Sequence, residues 1–289
     1  MVVEAKAPSA AVAALMTNFS VEVTARDSKA IDACATELPK GTEVYVAFIP
    51  GEKIDRMVEA AKALRKGGLE PVPHVVARNI ADNAELNDYL SRLKIEAGVT
   101  RALALAGDVD VPTGQFQGAV DILQTGLFGK NGISNVGVSW YPEPHKKIAP
   151  DVMIRDRKAK LAACAEQGVS PWLVSQFAFE GQPYIDTIAQ IRAEGVTAPI
   201  KVGVAGPADK KVLFRFAMVC GVGNSIRALG AHGEQTVGLM TRQSPDEVLV
   251  DIAKAQAERP DLGVAGVHIF TFGGIAGTAR WARELTGRA

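Results

Sequence analysis

Short runs of β-forming residues alternate with longer amphipathic segments along this chain, and that alternation is what most restricts its fold. Eight such runs stand out, over residues 18–25, 42–49, 70–78, 101–108, 135–142, 172–180, 200–206 and 266–272. Segments 52–68, 81–97, 116–128, 151–167, 183–194, 209–220 and 245–258 lie between them, and 275–286 follows the last. In the clearest of these, Ile54, Met57, Val58 and Ala61 recur at i, i+3, i+4 and i+7, one face of a helix, and Gly67-Gly68 closes it. Strands separated by helices cross over and pair in parallel. Eight βα repeats predict an α/β protein, a (β/α)8 TIM barrel forming a single domain over 1–289, with 1–17 as an N-terminal extension. An open doubly wound sheet is the alternative.

Composition narrows the partners. Lys+Arg and Asp+Glu both total 32, without a basic stripe, which argues against nucleic acid. Cys34, Cys164 and Cys220 are far apart and form no metal-ligand spacing, so no metal is expected and the thiols read as reduced, in a cytoplasmic protein. No apolar run reaches the ~18 residues of a membrane span. The Ala-rich start carries Glu4 and Lys6 and does not read as a signal peptide.

In such a barrel, chemistry sits at the C-terminal ends of the strands. On the first strand Phe19, Val21 and Val23 share one face, so Ser20, Glu22 and Thr24 point inward. An internal carboxylate is either an ion-pair partner or a functional acid, and desolvation should raise its pKa. On the fourth, Leu103 and Leu105 are read as outward and Asp108 as inward at the strand end, where it is a site group or a turn cap. Gly107 lets a ligand approach the backbone. The fifth ends in Trp140-Tyr141-Pro142-Glu143-Pro144-His145, a loop stiffened by two prolines. The sixth carries Ser175-Gln176-Phe177-Ala178-Phe179, an amide beside aromatics that suits a flat heterocycle, or else one satisfied amide in a core strand.

In order, Phe-Ser-x-Glu at Phe19–Glu22, Pro73-His74, Leu-Ala-x-Gly-Asp ending at Asp108, Tyr141-Pro142-Glu143-x-His145 and Ser175-Gln176-Phe177-x-Phe179 resemble the methylenetetrahydrofolate reductase family. The likeness runs from Phe19 to about Phe272. It implies an oxidoreductase that interconverts 5,10-methylene-tetrahydrofolate and 5-methyl-tetrahydrofolate through FAD, with NADH or NADPH as electron donor. It further implies Glu22 as the acid at N10, and Asp108 near both flavin and pterin. Gln176, Phe177 and Phe216 fall to the folate, and His74, Gly107, Tyr141 and His145 to the flavin.

The chain also departs from the family pattern. The arginine usual before Gly-Asp on strand four is Ala106, and the basic helix that helps hold the cofactor phosphates reads Ala162-Ala163-Cys164. The strand-two loop is Ala47-Phe48-Ile49-Pro50-Gly51, and the arginine after strand eight is Gly274. Fewer cations imply weaker diphosphate binding. A pterin-binding methyltransferase barrel and a non-catalytic folate-binding protein are the competing readings; neither needs a flavin, and the second needs no internal acid.

Overall fold

The computed structural model describes residues 9–145, 147–222 and 244–287. Eight parallel strands close into a barrel in chain order. They are β1 (Ser20–Thr24), β2 (Glu43–Ala47), β3 (Glu70–Val76), β4 (Arg101–Leu105), β5 (Asn135–Trp140), β6 (Ser170–Ser175), β7 (Ile200–Ala205) and β8 (Val264–Phe270). All eight expected strands form. The open doubly wound alternative is excluded by the β1–β8 pairing, in which Ser20 is opposite His268 and Glu22 opposite Phe270.

The outer layer comprises α1 (Ala10–Met16), α2 (Ser28–Glu37), α3 (Ile54–Lys66), α4 (Asn83–Ala97), α5 (Ala119–Gln124), α6 (Leu127–Lys130), α7 (Pro150–Glu166), α8 (Gln182–Ala193), α9 (Lys210–Val219), α10 (Asp246–Glu258) and α11 (Ile275–Thr286). Most match the expected segments, although 116–128 divides into α5 and α6 at Gly126, whose φ is +71°. Two helices had no strong sequence signal. In α2 only Ile31 and Cys34 are buried, and Asp27 caps its start by accepting from the Ala30 N–H. Within the 1–17 segment, α1 buries Val12, Leu15 and Met16 against α10, α11 and β8.

Outward strand residues such as Val21, Val44, Ala102 and Val136 join the helices in one large apolar core. A smaller cluster of Tyr45, Val72, Leu103, Trp172 and Val174 fills the barrel itself. Its membership reverses the expectation for β4, because Leu103 and Leu105 point in and Ala102 and Ala104 point out. The alternation ends with Leu105. Gly107 then adopts φ +99°, so parity cannot be carried on to Asp108. The space that a Cβ on Gly107 would need is taken by Val76 Cγ1 at 2.6 Å, so its missing side chain admits β3, not a ligand.

Below this cluster lies a ring of permanent charges. Lys201 Nζ is 2.7 Å from Glu43 Oε2, Arg101 Nε is 3.3 Å from Glu43 Oε1, and the Arg101 guanidinium stands 4.9 Å over the Trp172 ring. The Trp172 N–H donates to the Tyr45 hydroxyl at 2.9 Å. The lower half of the barrel is therefore packed and its carboxylate is held by two cations, which leaves chemistry to the C-terminal end.

Candidate active site

Glu22 points inward from β1, as its parity requires, and its side chain is only 20% exposed. Glu22 Oε2 lies 3.3 Å from His74 Nε2 on β3 and 3.8 Å from His268 Nε2 on β8. His268 is 1% exposed and its Nδ1 is 3.1 Å from Ser20 Oγ. The Glu22 backbone is held from above, where the Thr271 hydroxyl donates to its carbonyl. Three strands thus converge on one carboxylate.

The charge state of Glu22 runs against the expectation of a raised pKa. Desolvation is the largest single influence and does push upward, but hydrogen bonding and charge from His268 and His74 together outweigh it and hold the carboxyl at about 2. Glu22 is a carboxylate at rest. His268 is pulled the other way: burial lowers its pKa, partly offset by Glu22.

The rim of the cup comes from the loops. Asp108 follows β4, is exposed, and has no hydrogen-bond partner among the described residues, so its side chain is not a turn cap. Tyr141 follows β5 and meets the His145 ring edge-on at 5.1 Å. The Tyr141 hydroxyl is pushed up to about 12 by burial and then by Asp108 and Asp156, so it stays a neutral phenol. Cys220, at the end of α9, is likewise raised to about 12, by burial and by Glu22 and Asp108. These couplings bring Glu22, Asp108, Tyr141 and Cys220 to one end of the barrel.

Gln176 follows β6 and lines the same crevice as Tyr141 and His145; its amide oxygen accepts from the Phe177 N–H at 3.0 Å. An aromatic shelf completes the wall. Phe216 on α9 stacks on Phe272 at 4.0 Å with planes 10° apart, Phe272 stacks on Phe270, and Phe177 meets both Phe270 and Phe272 edge-on. Of the residues expected at the flavin, His74 is the most buried, at 7% exposure, with its Nε2 turned to Glu22. His268, Phe270 and Phe272 were missed. The alternation that turned Ser20 and Glu22 inward would have found His268 and Phe270, because Val267 and Ile269 are the outward residues of β8.

Against known proteins, the family profile described as methylenetetrahydrofolate reductase matches residues 28–226, more than half of the 289. The chain belongs to the methylenetetrahydrofolate reductase family. Methylenetetrahydrofolate reductase relatives are folate-related barrel enzymes, and so is this chain. Among solved structures it is similar to a complete multifunctional pyruvate carboxylase from Rhizobium etli, with TM-score 0.50 and 8% identity over 94% of this chain and 27% of that one. It is also similar to dihydropteroate synthase from Thermus thermophilus in complex with 6HMPPP, with TM-score 0.48 and 14% identity over 93% and 90% of the two chains. At such identities the first likeness speaks only to the barrel, and the second carries no argument. No described helix of this family member is long and apolar enough to cross a membrane.

Proposed function

We propose that this barrel interconverts 5,10-methylene-tetrahydrofolate and 5-methyl-tetrahydrofolate by hydride transfer, with FAD as carrier and NAD(P)H as its reductant. The observation that carries the reading is an inward Glu22, 20% exposed, with imidazoles at 3.3 and 3.8 Å and a shelf of phenylalanines beside it. A pterin is flat and suits that shelf, with Phe216 against its face or tail and Gln176 and Asp108 on its polar edge, while Phe177, expected to touch the folate, is 1% exposed and backs the shelf instead. Three free thiols agree with a cytoplasmic location.

The described residues fit the ring end of FAD better than its phosphates. Tyr141 and His145 offer an aromatic pair, and Asp108 offers an acceptor without a partner among the described residues. On α7, Ala163 and Cys164 are buried in the core, Arg157 is bound to Glu194 at 2.8 Å, and Lys160 is paired with Asp156. Ala106 adds no charge. FAD binding is therefore weaker than in relatives that keep the strand-four arginine. When bound, FAD supplies the hydride.

The chain's own groups handle the proton. When the bond from N10 to the methylene carbon breaks, its electron pair stays on N10, which takes a proton, and N5 with the carbon becomes an iminium cation. Hydride addition to that carbon gives the methyl group, and the reverse reaction removes the N10 proton. An ionised Glu22 can take that proton directly, and its charge favours the cationic iminium. In the reductive direction the carboxylate must first be loaded with a proton.

Visible spectra test the reading. The protein titrated with FAD should acquire a bound-flavin spectrum that bleaches when 5-methyl-tetrahydrofolate is added. Ala106→Arg should tighten FAD by the ~1.5–3 kcal/mol of a charge-assisted hydrogen bond. A flavin that binds but never bleaches with folate would sink the proposal. Methyl transfer to a thiol without any flavin would point to the methyltransferase alternative.

A further inference from the structure

Ser20 lies one repeat of the β1 pleat below Glu22, and no reading of the strand ends gives it a role. Its hydroxyl lies 3.1 Å from His268 Nδ1 and 3.5 Å from the Val267 carbonyl oxygen. Both neighbours are buried, and the hydroxyl has one proton to place between them. Donated to Nδ1, it fixes the tautomer with the proton on Nε2, facing Glu22. Donated to the Val267 carbonyl, it leaves its oxygen to accept from Nδ1–H, which frees Nε2 to gain or lose a proton toward Glu22. A buried imidazole with a fixed partner would strand a donor or an acceptor whenever its protonation changed, at ~1–3 kcal/mol. A rotating hydroxyl removes that penalty.

We propose that His268, oriented by Ser20, is a positioning residue that shares the transferred proton with Glu22, so that the acid–base group of this barrel is the Glu22–His268 pair and not a lone carboxyl. In the loaded pair the proton is held on Glu22 Oε2 or on His268 Nε2, which stand 3.8 Å apart and close to hydrogen-bond distance when it passes, with Nδ1–H donating to Ser20. Delivery to the substrate amine leaves the carboxylate and a neutral imidazole; the reverse reaction, or solvent at the exposed edge of Glu22, returns the proton. Atoms and charge balance without any further reactant. This inference rests on the folate reading for the identity of the amine, but not for the existence of the pair.

Other titratable groups face the pair from each side. They are Tyr45 and Glu43 of β2, His74 of β3, Arg101 of β4, Lys201 of β7, Asp108 of the β4 loop and Cys220 of α9. Of these, His74 is the neighbour in ion-pair range of Glu22, and the Tyr45 ring is 4.2 Å from that of His268. Burial depresses the His268 pKa and the Glu22 charge opposes that, so the two titrations are linked.

The chain has four histidines, few enough to follow each ring by nitrogen-detected magnetic resonance in the full-length protein, with His268→Asn giving the assignment. In Glu22→Gln the His268 titration should move to lower pH by about one unit or more while that of His145 stays in place. Coincident wild-type and Glu22→Gln curves for His268 would overturn the proposal, whatever the enzyme turns over. Ser20→Ala supplies the second arm without removing an ionisable group. It should lower kcat for folate about tenfold, leave KM within about twofold, and displace the pH limb of kcat. An unchanged kcat and pH profile in Ser20→Ala would equally overturn it. A wild-type protein that ignores folate defeats the proposed function, and the resonance arm then decides the pair alone.

Discussion

Glu43 and Glu22 both point into this barrel, and they are treated in opposite ways. Glu43, near the bottom, is clamped by Lys201 and Arg101, whose charges are permanent at any physiological pH. Glu22, higher up, has only imidazoles within ion-pair range among the described residues. A carboxylate held by permanent cations cannot change its charge cheaply and serves the fold. One held by imidazoles, whose charge is not permanent, can take a proton and return it. The difference separates a structural from a chemical use of the same residue type, and four measurements can break or sharpen it.

The largest effect is expected from Glu22→Gln, which keeps the shape but cannot transfer a proton. Folate turnover should fall ~10²–10⁴-fold with folate binding nearly intact. Steady-state kinetics beside a binding titration checks this, and a wild-type rate would move the proton to Asp108 or to water. Next comes Lys201→Met, which should cost about 3 kcal/mol of unfolding free energy in urea, because Glu43 loses its closest partner. The surviving folded protein should turn over folate normally. Lost activity at full stability would erase the distinction between floor and cup.

A third measurement follows pH. The folded pKa of Glu22, about 2, lies below its ordinary 4.5. A depressed carboxylate contributes stability that is complete above the unfolded value and is lost as pH falls toward the folded one. Wild type should therefore lose on the order of 2 kcal/mol relative to Glu22→Gln between about pH 5 and 2. Parallel stability curves for the two proteins would show that the imidazoles do not hold Glu22. The smallest effect concerns the layer that separates the two glutamates. Tyr45→Phe strands the Trp172 N–H and should cost about 1 kcal/mol, with kcat unchanged. A larger change in kcat than in stability would mean that floor and cup are coupled.

Much of the fold was legible in the sequence because the βα period repeats eight times, and each repeat supports the others. The helix α2 escaped notice for want of apolar residues, since Ile31 and Cys34 are its only buried ones; the usable sign was Asp27 as a cap. The run 172–180 overshot β6 because Gln176-Phe177-Ala178-Phe179 alternates like a strand, yet these residues form a loop after Ser175 that brings Phe177 into the aromatic shelf. Site positions at strand ends were readable, but their electrostatics were not. Burial of Glu22 was correctly inferred from parity, whereas the sign of its pKa shift depended on His74 and His268, which lie on strands far away in sequence. Pairing across a closed barrel, unlike alternation within a strand, cannot be read from one stretch of chain.

The helix α1 carries a consequence for the order in which the molecule is assembled. Its apolar side, Val12, Leu15 and Met16, is covered by α10, α11 and β8, the last elements of the barrel. As the ribosome makes this protein, α1 emerges with no partner and stays without one until almost the whole barrel has been synthesised. Contacts of such sequence separation form late and slowly. The segment around α1 is thus the part of the nascent chain whose greasy side faces water longest, and barrel closure and its burial are completed together once β8 and its flanking helices have been made.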